Sequence, residues 1–258
     1  MIPVIIPYYK KPEQLEKCLA HLERQTVKVE SFVKDNNKEN IYFTAAINEG
    51  IRNYLDKDCE YMVILNQDMY LEPHAVAEMV NFMDANPACG IVTPLQLKSA
   101  EPDTVIYAGG VSAFPNGYCE CGPLSNFTVN KEIFWSSGAC MLLRKEMIRE
   151  IGLLDKNMLL VCSDSDYCFT ARSRDWKIFN IVSARGVHEH GVTSNCNNPD
   201  IELIKMKDTI YFADKWLTGG LYKKLSFEGA KLTQEAVRTA IEQLKRSRNS
   251  ILIKKNSI

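Results

Sequence analysis

What the chain lacks narrows its chemistry first. It has no GxGxxG and no GxxxxGK[ST] sequence, so no glycine loop is available to wrap a phosphate in backbone N–H groups. The turn after the first apolar run, Pro7-Tyr-Tyr-Lys-Lys-Pro12, contains no glycine at all. HExxH is absent too, and with it a pair of metal-binding histidines on one helix face. The nine cysteines form no CxxC pair, and Cys119-x-Cys121, with no second pair, does not make a zinc site. Their odd number, and the apolar settings of Cys18, Cys140 and Cys168, predict reduced, buried thiols of a cytoplasmic protein. No apolar run approaches the ~20 residues of a membrane-spanning helix. The opening Met1-Ile-Pro-Val-Ile-Ile-Pro7 has no basic stretch and no cleavage site, which predicts no signal peptide. Without secretion, the Asn126-Phe-Thr128 sequon is read as chance. Net charge is −1 and the isoelectric point about 6.4, so no global field draws the chain to nucleic acid.

What is there is an alternation. With 258 residues, 46% of them hydrophobic, the chain can bury one large core. Val4–Pro7 reads as a strand. Leu15, Cys18, Leu19 and Leu22 follow at helical spacing behind Pro12. Ser31–Asp35 is a second strand ending in an acid, and Ala45–Leu55 a second helix. Tyr61-Met-Val-Ile-Leu65 is a buried strand that stops abruptly at Asn66-Gln-Asp68. Val76, Met79, Val80 and Met83 mark a third helix, stopped by Asn86-Pro87, and Gly90–Pro94 another strand. This order predicts an α/β protein with a mostly parallel central sheet flanked by helices. Asp35 and Asp68 then fall at strand ends, where open α/β sheets bind ligands.

The second half is less regular. Residues 95–134 carry Gly109-Gly110, Pro115-Asn116-Gly117 and Gly122-Pro123 among short apolar pieces, an insertion suited to substrate contacts. Lys145–Ile151 reads as a short helix before Gly152, Asp164–Arg174 as another, and Trp176–Val182 as a strand. From Lys223 onward there are nine Lys or Arg against three Glu, with Val237, Ile241 and Leu244 at helical spacing. That C-terminal helix is read as packed on the domain, or as a basic surface for anionic lipid or a partner.

Four polar clusters could do chemistry. Asn66-Gln-Asp68 is a capped strand end or a perch for a hard cation that holds phosphates. Val187-His-Glu-His190 puts its histidines on opposite faces of a strand, so one of them reaches a shared site. An Asp with a His, completed by water and phosphate, suits Mn²⁺ or Mg²⁺ and leans towards Mn²⁺. In Ser163-Asp-Ser-Asp166 the two acids do not share a helix face; one can enter a cleft while the other caps the helix. Trp135-Ser-Ser-Gly138 sets a Trp able to stack on a sugar beside a turn that approaches a ligand closely.

In this order the segments resemble a family 2 glycosyltransferase with a GT-A fold, of the rhamnosyltransferase-like branch. The likeness spans roughly residues 2–195. It rests on Val4-Ile-Ile-Pro-Tyr-Tyr9, Lys34-Asp-Asn36, Asn48-Glu-Gly50, Leu65-Asn-Gln-Asp68, Trp135-Ser-Ser-Gly-Ala139, Ile151-Gly-Leu-Leu-Asp155, Asp164-Ser-Asp166 with Ala171-Arg172, and His188-Glu-His-Gly191. The resemblance implies Asp164 as catalytic base. It implies Asp68 and His188 as metal ligands, with His190 as substitute, holding Mn²⁺ or Mg²⁺. Pro7, Tyr9, Asp35, Asn48, Asn66, Gln67 and Gly138 would bind the donor, and Trp135 and Asp166 the acceptor. The chain departs from the family in carrying Asn66 and Gln67 before Asp68, which leaves one carboxylate for the metal. Ser163 stands where the family has Glu, so like-charge repulsion should raise Asp164 less.

The function so implied is inverting transfer from a nucleoside-diphosphate sugar, dTDP-rhamnose-like or UDP-hexose, to a glycan or lipid-linked acceptor in surface polysaccharide synthesis. The alternative is a catalytically silent sugar-nucleotide-binding module. The expected division is residues 1–215 as the GT-A domain, with 1–94 for the donor and 95–215 for the acceptor. Residues 216–258 form the basic helical extension. The expected location is cytoplasmic, with contact at the cytoplasmic membrane face through that extension.

Overall fold

The computed structural model describes residues 1–111, 119–189, 198–216 and 234–255. The elements run β1 (Ile2–Tyr8), α1 (Pro12–Glu23), β2 (Val29–Asp35), α2 (Tyr42–Tyr54), β3 (Tyr61–Leu65), β4 (Met69–Leu71), α3 (Ala75–Ala85), β5 (Cys89–Lys98) and β6 (Glu101–Tyr107). They continue with β7 (Gly122–Pro123), β8 (Lys131–Glu132), β9 (Cys140–Arg144), α4 (Lys145–Ile151), α5 (Ser163–Arg172), β10 (Lys177–His188), α6 (Pro199–Trp216) and α7 (Gln234–Lys255).

The central row of the sheet is β2-β1-β3-β9-β5-β10-β4. β2, β1 and β3 are parallel, and so are β5 and β10; β9 and β4 run against their neighbours. The strands β2, β1, β3, β5 and β10 therefore share one direction, as the alternating sequence predicts. Side-chain alternation along β1 explains the layers. Val4 and Ile6 face a core closed by α1 and α3, while Ile5 faces one closed by α2, α4, α5 and α6. Each such fully buried side chain contributes roughly 1.5–3 kcal/mol of transfer free energy. The stripe Leu15, Cys18, Leu19 and Leu22 of α1 packs into the first of these cores. On α2, a Cβ at Gly50 would lie 2.3 Å from Ile5 Cγ2, so the helix sits on β1 at a distance only glycine permits.

Two strands run further than the sequence predicts, and for one reason. Pro94 reads as the end of β5, yet the strand continues to Lys98. Pro94 pairs with Ile181, and the register then jumps so that Leu95 pairs with Arg185. A proline lacks the N–H of the ladder, so it sits where a bulge interrupts pairing. The bulge lets β10 resume beside β5 and reach His188. β4 pairs antiparallel with that resumed end, with Met69 opposite His188. α7 lies beside α6, where Lys245 Nζ is 3.8 Å from Asp214 Oδ1. Among the described residues, no helix is long and apolar enough to cross a membrane.

Candidate functional site

A cavity of about 530 Å³ opens where β1 and β3 end. Pro7, Tyr9, Asn66, Gln67 and Asp68 form one wall, and Trp135, Gly138 and the start of α5 form the other. The charged residues lining it, among those described, are Lys10, Asp68 and Asp164.

The first wall is set by the β4–β10 pairing. Because Met69 faces His188, the preceding Asp68 comes to lie against the imidazole, with Oδ1 3.3 Å from His188 Nε2. Both side chains are buried. His188 Nδ1 is 2.9 Å from Gln96 Oε1. In the tautomer with its proton on Nδ1, donated to that amide oxygen, the ring presents the lone pair of Nε2 towards Asp68. Facing lone pairs of one oxygen and one imidazole nitrogen suit a divalent cation of the Mn²⁺ type. Among the described residues no group of three or more His, Cys, Asp or Glu could hold a metal. The described residues thus offer two ligands, and phosphate and water would complete the set of a bound cation. Glu189 locks this corner: its N–H donates to Asp68 O at 3.0 Å, and its carboxylate accepts from Tyr70 Oη at 2.7 Å and pairs with Lys17.

On the second wall, Asp164 sits in the first turn of α5, half-buried at the cavity. Its Oδ2 accepts the Gly138 N–H at 2.7 Å, and its Oδ1 accepts the Ser165 N–H at 2.8 Å. Burial pushes the carboxyl up from the ordinary value, and the two N–H bonds hold part of that rise back. The rise comes from desolvation, so the Ser163 substitution does not prevent it.

No protein-family model matches this sequence, and no curated protein sequence matches it. Solved structures do. GalNAc-T7, solved with UDP, GalNAc and Mn²⁺, gives a TM-score of 0.58 at 10% identity over 96% of this chain and 55% of its own. The mannosyltransferase PcManGT from Pyrobaculum calidifontis, solved with GDP-Man and Mn²⁺, gives 0.56 at 12% identity, over 99% of this chain and 75% of its own. TarS of S. aureus gives 0.54 at 12% identity, over 86% of this chain and 41% of its own. The fold is GT-A. The chain spans about half the length of GalNAc-T7 and less than half of TarS.

Within the GT-A frame the remaining expected residues divide. Asn66 lines the cavity, and its backbone N–H donates to Ala139 O at 2.9 Å. Gln67 lines it too, but its amide is spent inward, accepting the Tyr9 N–H at 2.7 Å and donating to Lys10 O at 2.9 Å. It holds a turn in which Lys10 and Lys11 are both left-handed, at φ 54° and 55°, so it is a strut of the first wall. Asp35 does not line the cavity; it is exposed beside Asn36, with Oδ1 taken by Asn37, which holds its carboxyl below the usual range.

Two expected residues, Asn48 and Asp166, lie away from the cavity. Asn48 is buried behind the wall and bonds the backbone of Leu154 on both sides, so it does not reach the cavity. Asp166 is 2% exposed and points under α6, bonded to Trp216 Nε1 at 2.5 Å and Lys215 Nζ at 2.7 Å. It ties helices and does not line the cavity. His190 lies outside the described residues.

Sequence reasoning also missed residues. Asn36 is 3% exposed and Ser163 1%. Both line the cavity, and Asn36 Oδ1 and Ser163 Oγ have no hydrogen-bond partner among the described residues. Buried polar atoms of this kind await a ligand or water. Asn36 follows a strand-end acid that drew the attention, and serine carries no charge to flag it. Within 95–134, read as suited to substrate contacts, the described residues Ala108, Cys119, Cys121, Phe127 and Lys131 line a separate cavity.

Proposed function

We propose that the chain is an inverting glycosyltransferase that moves a sugar from a nucleoside-diphosphate sugar to an acceptor hydroxyl. The carrying observation is one cavity with Asp68, backed by His188, on one wall and Asp164, gripped by Gly138, on the other. GT-A neighbours solved with UDP and GalNAc, or with GDP-Man, and with Mn²⁺ support it.

On this reading Pro7 and Tyr9 flank the base, and Asp35 and Asn36 read its polar edge. Asn66 and the Gly138 backbone border the donor sugar. Asp68 and His188 would hold Mn²⁺ or Mg²⁺, which would neutralise charge on the leaving diphosphate. Lys10 adds a positive charge at the same wall. Asp164 takes the proton from the acceptor hydroxyl as that oxygen attacks the anomeric carbon. The bond to the diphosphate breaks on the opposite side, so one displacement inverts the centre. Trp135 stacks on a sugar face. dTDP-rhamnose or a related deoxyhexose is the preferred donor, from the Asn66-Gln-Asp68 likeness, with UDP-hexose second. A growing glycan or lipid-linked glycan of a surface polysaccharide is the acceptor, met at the cytoplasmic membrane face with help from α7.

Thermal denaturation across a panel of dTDP-, UDP- and GDP-sugars with Mn²⁺ tests this. At least one donor should raise the midpoint and turn over. Stabilisation without turnover would select the silent binding module, and no response to any donor would remove the proposal.

A further inference from the structure

Asp208 of α6 is 0% exposed and does not line the cavity. Its Oδ2 accepts three consecutive backbone N–H groups: Leu159 at 3.0 Å, Leu160 at 2.7 Å and Val161 at 3.0 Å. Amides converging on one anionic oxygen form a nest. That nest closes the segment just ahead of Asp164. Leu160 and Val161 themselves line the cavity. Cys162 follows at φ 67°, a left-handed conformation that a non-glycine residue holds only when its surroundings enforce it. α5 then begins, with Asp164 in its first turn.

α6 reinforces the hold on either side. Thr209 Oγ1 is 3.7 Å from Cys162 Sγ, and beyond Asp164 the same helix takes Asp166 through Lys215 and Trp216. The other oxygen of Asp208 has no hydrogen-bond partner among the described residues. A buried carboxylate satisfied on one side only is a poor source of stability, so its value lies in what Oδ2 fixes.

We infer that Asp208 is a positioning residue that sets Asp164 at the acceptor side of the cavity by holding the 159–161 amides. This rests on the glycosyltransferase reading above. Asp208 touches no reacting atom; it acts through the loop.

The test uses the full chain with Mn²⁺ and the best donor of the panel. Three quantities are read: the Kd for the nucleoside diphosphate, kcat, and hydrogen exchange of the 159–161 amides. Asp208→Ala should leave Kd within about twofold, lower kcat by ~30-fold or more, and strip protection from those amides. Asp208→Asn keeps an oxygen for the three N–H groups and should recover most of kcat. Asp208→Glu keeps the charge but moves the oxygen by one methylene, so kcat should fall with Kd held; it serves if the alanine variant does not fold. Unchanged kcat in Asp208→Ala or Asp208→Glu overturns the inference alone, as does an equal loss of nucleotide affinity and kcat. A wild-type chain that turns over no sugar nucleotide overturns the functional reading, and the inference with it.

Discussion

Gly138 donates its backbone N–H to Asp164 Oδ2 at 2.7 Å, and the carboxylate can come that close because Gly138 has no side chain. A Cβ there would lie 2.9 Å from Phe43 Cζ and 3.3 Å from Asp164 Oδ2. Phe43 and Asp164 both line the cavity, so the added methyl displaces one of them. Gly138→Ala should therefore cost about tenfold in kcat, or about 1.4 kcal/mol. The melting midpoint should change little. Steady-state kinetics beside a thermal melt checks this; a large loss of stability with normal kcat would place the strain elsewhere.

Asp164 itself should separate chemistry from binding. Asp164→Asn keeps the shape and loses the base, so transfer should fall by roughly 10²–10⁴ while nucleotide affinity holds. The pH profile has a definite sign. A base works ionised, and burial has raised this carboxyl above the ordinary value. Wild-type kcat should rise with pH through a limb lying above 3.8, the ordinary carboxylate value, and the residual rate of Asp164→Asn should lose that limb. Near-normal turnover in the variant would dismiss the assignment.

Charge at the cavity predicts metal dependence. Two carboxylates and one lysine line it among the described residues, an unfavourable balance for a diphosphate. Excess EDTA should weaken nucleotide binding by at least about tenfold, and Mn²⁺ should restore it. Asp68→Ala should bind weakly in both conditions. Full turnover in EDTA would free Asp68 and His188 from the metal role.

The α5–α6 tie offers a stability test. Lys215 Nζ is 2.7 Å from Asp166 and 2.9 Å from Asp155. Those carboxylates raise the lysine above its ordinary value against the pull of burial. Burial of Asp166 outweighs the lysine and leaves its carboxyl raised. Lys215→Met strands a buried carboxylate and should cost about 3–5 kcal/mol in urea unfolding at neutral pH. A raised lysine contributes stability fully present below its unfolded pKa, so the gap to wild type should persist to 10.5 and shrink above it. It should also narrow in acid, where the stranded Asp166 takes up a proton. A gap independent of pH would show that packing of the lysine stem, not its charge, carries the effect.

The sequence made the first half of the fold legible because β1, α1, α2 and β3 each bury one clean face or run, and β2 half-buries Val29, Phe32 and Val33. β4 was hidden: three buried residues, Met69–Leu71, are too short to show a period. Pro94 concealed the rest of β5 and, through the bulge opposite it, the reach of β10. Charge marked Asp68 and Asp164, which line one cavity, and His188, which lies behind Asp68. Spacing alone said that Asp164 and Asp166 diverge, but not that Lys215 and Trp216 claim the second. Asp208 stayed invisible because one acid in a helix reads as solvated until the amides that surround it are known.

Asp68 and His188 meet only through β4 and the far end of β10, strands from opposite halves of the chain. No fragment ending before His188 can assemble that corner, so a nascent or nicked chain carries an acid without its imidazole. With a cation held by that pair as proposed, folding and metal uptake would be one event: a cation that binds only the closed sheet shifts the unfolding equilibrium in proportion to its concentration. Mn²⁺ alone, with no sugar nucleotide present, becomes a reporter of whether the two halves have joined.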